Sequence, residues 1–113
     1  MDIQANLPLR EATFMVLLSL ATGPRHGYAI MKDTEMLSEG RVILSTGTLY
    51  GAIKRLLVRE WIRRVDINVE MENTRIRKEY ELTELGRRIF DAEVVRLESL
   101  VTIARDSTAG AVA

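Results

Sequence analysis

Ser45 to Ile62 reads STGTLYGAIKRLLVREWI, and the rest of the chain is arranged around it. Leu49, Ile53, Leu56 and Leu57 recur at helical spacing, so one face of this segment is built to pack inward. At about 3.6 residues per turn, Gly47, Thr48, Gly51, Lys54, Arg55 and Val58 fall on roughly the opposite side. That outer face begins small and hydroxyl-bearing and then turns basic. Ser45 or Thr46 is placed to cap the helix by accepting hydrogen bonds from free backbone N–H groups. Two readings fit such a helix. It reads DNA, short residues reaching base edges while Lys and Arg neutralise phosphates, or it is an amphipathic helix with a solvated basic face.

The totals narrow the setting. A chain of 113 residues, 47% hydrophobic and 28% charged, suits one domain with a modest core. Sixteen basic residues balance sixteen acidic ones, so net charge is no argument for a polyanionic partner. Their distribution is. From Ser45 to Arg64, Lys54, Arg55, Arg59, Arg63 and Arg64 stand against Glu60 alone, and a local basic patch dominates the field near it. With no cysteine there is no disulfide or thiolate metal site. The apolar run Phe14 to Ala21 falls far short of the ~20 residues that span a bilayer. The N-terminus lacks the pattern of a signal peptide. A soluble, cytoplasmic protein is expected.

Taken in order, Met1 to Asn6 reads as a loose polar arm, and Pro8 suits the first turn of a helix running to about Ala21. That helix is apolar almost all round, so it needs cover on several sides. Thr22-Gly23-Pro24 stops it. A second helix is predicted over His26 to Leu37, with Ala29, Ile30, Met36 and Leu37 facing in. Joined by Arg41 to Leu44, it and the Ser45 helix match a helix-turn-helix. Trp61 to Val65 and Arg77 to Leu82 read as strands with a Glu-Asn-Thr tip between them, making a wing. Arg75, Arg77 and Lys78 place positive charge on its second strand, either to meet DNA or to protect a sheet edge. Thr83 caps a last helix expected to end near Asp106. Its apolar residues Phe90, Val94, Leu97, Val101 and Ala104 form a heptad-like seam, widened by Ile89, Leu100 and Ile103. The fold expected is mainly α with a small β-wing: a winged helix-turn-helix over residues 1–82, a dimerisation helix over 83–106 and a disordered tail over 107–113. Phe14, Leu17 and Leu18 on the first helix join Phe90, Val94, Leu97, Val101 and Ala104 as the expected homodimer contacts.

His26-Gly27-Tyr28-Ala29-Ile30, then Ser45-Thr46-Gly47-Thr48-Leu49-Tyr50, Lys54-Arg55-Leu56, and Arg77-Lys78-Glu79-Tyr80-Glu81-Leu82-Thr83-Glu84-Leu85-Gly86 stand in an order and spacing that resembles the PadR family. The resemblance covers about residues 8 to 90 and is closest to the branch with a single C-terminal helix. It implies a homodimeric winged-helix transcriptional regulator, usually a repressor, that leaves DNA when a small-molecule effector binds. It implies DNA-facing roles for Tyr28, Ser45, Thr46, Gly47, Thr48, Tyr50, Lys54 and Arg55, with Arg77 and Lys78 as wing contacts. Tyr28 and Tyr50 also suit packing between helices, with the hydroxyl near phosphate.

The chain departs from the family pattern in three places. Glu79 stands where a second tyrosine is frequent, Glu60 replaces the glycine that closes the recognition helix, and Trp61 replaces an aliphatic residue. These bear on wing geometry more than on the fold. Phe90 is the one aromatic residue of the last helix, which does not support an aromatic drug pocket there. Trp61 is read as core, and His26, the one histidine, as structural rather than a metal ligand. No catalytic grouping, phosphate loop, metal cluster or cofactor site is legible. The competing function is a winged helix that binds a protein and has no operator.

Overall fold

The computed structural model describes residues 2–70 and 75–109, and for 67–70 and 75–77 the backbone alone. Among the described residues, four helices and three strands follow one another: α1 (Glu11–Ser19), β1 (Arg25–His26), α2 (Gly27–Leu37), α3 (Thr46–Val58), β2 (Ile62–Glu70), β3 (Arg75–Leu82) and α4 (Glu84–Ala109). The strands form one antiparallel sheet in the order β1-β3-β2. This is the expected winged helix-turn-helix with a long C-terminal helix. The expected Glu-Asn-Thr tip lies outside the described residues. The wing strands are longer than predicted, with an irregularity between Asn68 and Glu70.

Leu49, Ile53 and Leu56 of α3 are buried as their spacing requires, and Leu57 is half-buried. They meet Val16, Leu17 and Leu20 of α1, Ile30 of α2, Trp61, Ile62 and Tyr80 of the sheet, and Ile89 and Phe90 of α4 in a single core. Phe14 and Phe90 stack with ring centroids 5.2 Å apart, joining α1 to α4. Leu17 is fully buried inside its own domain. It presents no surface to a second subunit, which corrects its assignment as a dimer contact.

Two helices close in the same unusual way. After α3, Glu60 N–H bonds Leu57 C=O and Trp61 N–H bonds Leu56 C=O, both at 3.0 Å. That is a Schellman closure, with Trp61 and Leu56 supplying its apolar contact. Glu60 sits at the left-handed position with φ 62°. After α2, Glu39 takes the same position with φ 54°, and Gly40 N–H reaches Glu35 C=O at 2.8 Å. A non-glycine residue in this region costs on the order of 1–2 kcal/mol.

The start of α4 is fastened to the end of α3. Thr83 Oγ1 donates to Glu60 C=O at 2.6 Å and accepts Gly86 N–H at 3.0 Å, while Thr83 N–H bonds Trp61 C=O at 3.0 Å. Gly86 is needed because a Cβ there would run into the Trp61 carbonyl.

Several boundaries differ from expectation. Residues Gln4–Asn6 form a 3-10 turn rather than a loose arm, with Gln4 N–H held by Asp2 Oδ1. Pro8 lies outside α1, after a cis Leu7–Pro8 bond. Leu9 N–H is taken by the Glu93 carboxylate of α4 at 2.8 Å, which holds this segment extended until Glu11. In α2 the inward face is Gly27, Ile30 and Thr34, while Met36 and Leu37 are exposed. The strand β1 was not foreseen: two residues are too short to show a period. α4 continues through Ser107 and Thr108 to Ala109, so the start of the expected disordered tail is helical. Residues 110–113 of that tail lie outside the described residues.

Glu93 is buried and satisfied. It accepts Leu9 N–H and two hydrogen bonds from Arg96, and the Arg96 bonds hold its carboxyl below the usual carboxylate range against the opposing effect of burial. A depressed folded-state pKa stabilises the fold above the unfolded value, and that contribution disappears as pH falls through the folded one. Glu93→Gln is expected to cost about 1–3 kcal/mol at neutral pH, with the gap to the parent protein closing in acid, as read by denaturant titration across pH. Glu60→Gly is expected to raise stability by about 1 kcal/mol, because relief of left-handed strain outweighs the added unfolded-state entropy. The same titration at neutral pH checks it.

Candidate nucleic-acid interface

The N-terminus of α3 is built by its own hydroxyls. Ser45 Oγ accepts Thr48 N–H at 3.2 Å and donates to Thr48 Oγ1 at 2.9 Å, and Thr46 is the first helical residue. Ser45, Thr46, Gly47 and Thr48 are all exposed. A Cβ on Gly47 would meet nothing within 4 Å, so the fold itself does not require glycine there. Lys54 and Arg55 are exposed further along the same helix, and Gly51 is half-buried between them and the N-terminus.

The two tyrosines flank this surface differently. Tyr50 rests its ring end on Gly27, where a Cβ would collide with the Tyr50 hydroxyl, and remains half exposed. The glycine of the His26-Gly27-Tyr28 stretch thus makes room for a ring from α3. Tyr28 is more exposed, stacks on His26 at 6.5 Å, and lies under the Lys32 ammonium at 5.7 Å. Lys32 belongs to the same surface and was not singled out from the sequence, although it stands one turn beyond Tyr28. His26 caps α2, its Nδ1 accepting Ala29 N–H at 3.2 Å. Among the described residues, no group of three His, Cys, Asp or Glu is placed to hold a metal ion.

The basic run does not act as one patch. Arg63 pairs across the sheet with Glu81 at 2.9 Å, and Arg64 forks onto Asp66 with bonds of 2.6 and 3.1 Å. Lys54, Arg55 and Arg59 form no ion pair among the described residues. The positive field therefore concentrates on α3 and not on the strand after it. In the wing, Lys78 is exposed opposite Asp66, and Glu79 faces Val65 on one side and His26 on the other without breaking the ladder. Arg75 and Arg77 are in register with Glu70 and Ile67, and their side chains lie outside the described residues. Burial in the strand beside them pushes the Tyr80 hydroxyl pKa up. The resulting surface offers hydroxyl and ammonium donors on a helix narrow enough at its start for close approach to a polyanion.

α4 presents the second surface. Val94 is half-buried beside Phe14 and Leu18, and every residue from Leu97 to Ala109 is exposed, including Leu97, Val101 and Ala104 of the seam. Phe14, Val94, Leu97 and Val101 line an open apolar groove of about 380 Å³. No helix among the described residues is long and apolar enough to cross a membrane.

Residues 16–92 match the family model described as the transcriptional regulator PadR-like family. A curated relative, an uncharacterized 37.1 kDa protein from a transposon of Streptomyces fradiae, is 36% identical over 83 residues, covering 74% of this chain. The chain spans 22% of that relative's length. Among solved structures, a PadR family transcription regulator from Clostridium difficile superposes with TM-score 0.71 at 22% identity, covering 86% of this chain and 97% of that one. Bacillus subtilis PadR, solved in complex with operator DNA, superposes with TM-score 0.65 at 19% identity, covering 78% and 49%. The family is one of transcriptional regulators and not of enzymes. With the motifs, the winged fold and the family match in agreement, the chain belongs to the PadR-like family of transcriptional regulators.

Proposed function

We propose that the protein is a cytoplasmic, homodimeric repressor that binds a palindromic site on double-stranded DNA and is released by a small-molecule effector. The observation that carries this reading is the exposed face of α3, small and hydroxyl-bearing at its start and then basic, with Lys54 and Arg55 unpaired among the described residues. In this reading Ser45, Thr46, Gly47 and Thr48 approach base edges, and Tyr28, Tyr50, Lys54 and Arg55 hold the phosphates beside them. Arg77 and Lys78 of the wing reach the backbone or the minor groove. The operator complex of Bacillus subtilis PadR, which shares the fold, supports this use of it.

Dimerisation is supported by α4. Its last 13 residues are all exposed in the protomer, and an isolated helical stretch of that length is marginal in water. Phe14, Leu18, Phe90, Val94, Leu97, Val101 and Ala104 are the proposed contact set. Two α3 helices about 34 Å apart would then enter successive major grooves.

The pairing of Arg63 and Arg64 with acidic neighbours favours a second reading, a winged helix that binds a protein without an operator. A gel shift on DNA upstream of the gene, with competitor and a salt series, separates the two. A discrete complex with a steep salt slope is expected, and binding that competitor abolishes would support the protein partner. Lys54→Ala is expected to weaken operator and non-operator DNA alike and to lower the log–log salt slope by about 1. Unchanged affinity at matched salt would remove Lys54 from the interface. Val101→Glu is expected to shift sedimentation from dimer to monomer, and a dimer that survives it would move the interface off the seam.

A further inference from the structure

The N-terminal strap, residues 2–9, is held to the domain by apolar contact and one directional bond. Ile3, Leu7 and Leu9 pack on the core. Among the described residues, the bond from Leu9 N–H to Glu93 Oε2, 2.8 Å long, is the one hydrogen bond from this strap to the rest of the chain. Its acceptor is singular too. Glu93 is the one buried charged side chain among the described residues, 2% exposed, and it is the last buried residue of α4. Arg96 offsets its charge through bonds of 2.5 and 3.0 Å. Arg96 is half-buried, and every residue of α4 beyond it is exposed in the protomer.

The order of these residues along α4 makes a chain of dependence. Removing one partner of a buried ion pair leaves an uncompensated charge in the interior. Arg96 stays beside Glu93 only while α4 is helical there, because helical spacing brings side chains three residues apart together. Beyond Arg96 the helix consists of exposed residues alone, and helical order is cooperative and weak at an uncovered end. Cover for Leu97, Val101 and Ala104 thus steadies Arg96, Arg96 keeps the Glu93 charge offset, and Glu93 holds Leu9. The strap in turn lines a cleft with Ala52, Arg55, Leu56 and Arg59 of the α3 region. We propose that Glu93 is a latch through which pairing of two α4 helices fixes the N-terminal strap beside α3. The pairing rests on the dimer reading above. The latch adds that a lone protomer carries a loosened strap, and that a held strap tightens the dimer by the same factor, since coupling between the two is reciprocal.

The test reads amide hydrogen exchange of Leu9 by NMR against that of Ile53, which is buried in α3 and reports opening of the whole domain. In the full chain carrying Val101→Glu, Leu9 protection is expected to fall at least about tenfold further than that of Ile53. Arg96→Gln is expected to lower Leu9 protection by a similar factor and to raise the dimer Kd about tenfold. Arg96→Lys should recover part of both losses. With both sites changed, Leu9 protection is expected to fall no further than in Val101→Glu alone. Equal losses at Leu9 and Ile53, full Leu9 protection in the monomer, losses that add in the double variant, or a dimer affinity unmoved by Arg96→Gln would each overturn the latch. Sedimentation of each sample separates this from failure of the dimer reading. A parent chain that is monomeric, or a Val101→Glu chain that stays dimeric, removes the seam and the latch with it. A monomer that keeps Leu9 protected removes the latch alone.

Discussion

The carbonyl of Trp61 is the point on which the fold turns. The end of α3, the start of β2, the end of β3 and the first turn of α4 all close around it. Trp61 N–H completes the closure of α3, its carbonyl takes Thr83 N–H, and Gly86 lies too close to it for any side chain. Thr83 supplies a second tie through Glu60. The angle between recognition helix, wing and long helix is therefore set by backbone hydrogen bonds at one junction. The buried Trp61 ring fills the space beneath it. The family-like stretch from Tyr80 to Gly86 has a mechanical meaning here: Tyr80 packs into the core, Thr83 bridges, and Gly86 permits the approach.

The charge distribution follows from strand geometry as much as from composition. Arg64 and Asp66 stand two apart on one strand and share a face, so they pair. Arg63 points to the other face and finds Glu81 across the sheet. These exposed pairs add little stability, but they offset two cations of the basic run, whereas Lys54 and Arg55 of α3 form no ion pair among the described residues. A neutral chain thus carries a compact positive surface without being a basic protein.

Most of the fold was legible because α3 and α4 carry strong helical periods and because turn residues bound each element. What was not legible depended on distant partners. The start of α1 is decided by Glu93, 84 positions from Leu9. The strand β1 exists because β3 offers it a ladder, and two residues carry no pattern of their own. Met36 and Leu37 read as core by their chemistry, yet Ile30 and the small Gly27 and Thr34 fill the close contact instead. Leu17 and Leu97 look alike in the sequence, and only packing shows that one is sealed in the domain while the other faces out. The residue types of the candidate interface were legible from α3. Their pairing was not, since it follows from the register of β2 on β3.

The bond from Glu93 to Leu9 also bears on how the molecule comes into being. α3 is complete in the chain at Val58, but the acceptor of Leu9 N–H in the segment that precedes α1 does not exist until residue 93 is made. A contact of such long sequence separation is slow to form and comes late. During synthesis the helix-turn-helix is thus expected to remain a loosely held assembly until much of the long helix has emerged. The same helix offers its exposed seam as soon as it is made. Closure of each domain and pairing with a neighbour are in this way tied to one element, so that a subunit becomes competent for partnership at nearly the moment it becomes whole.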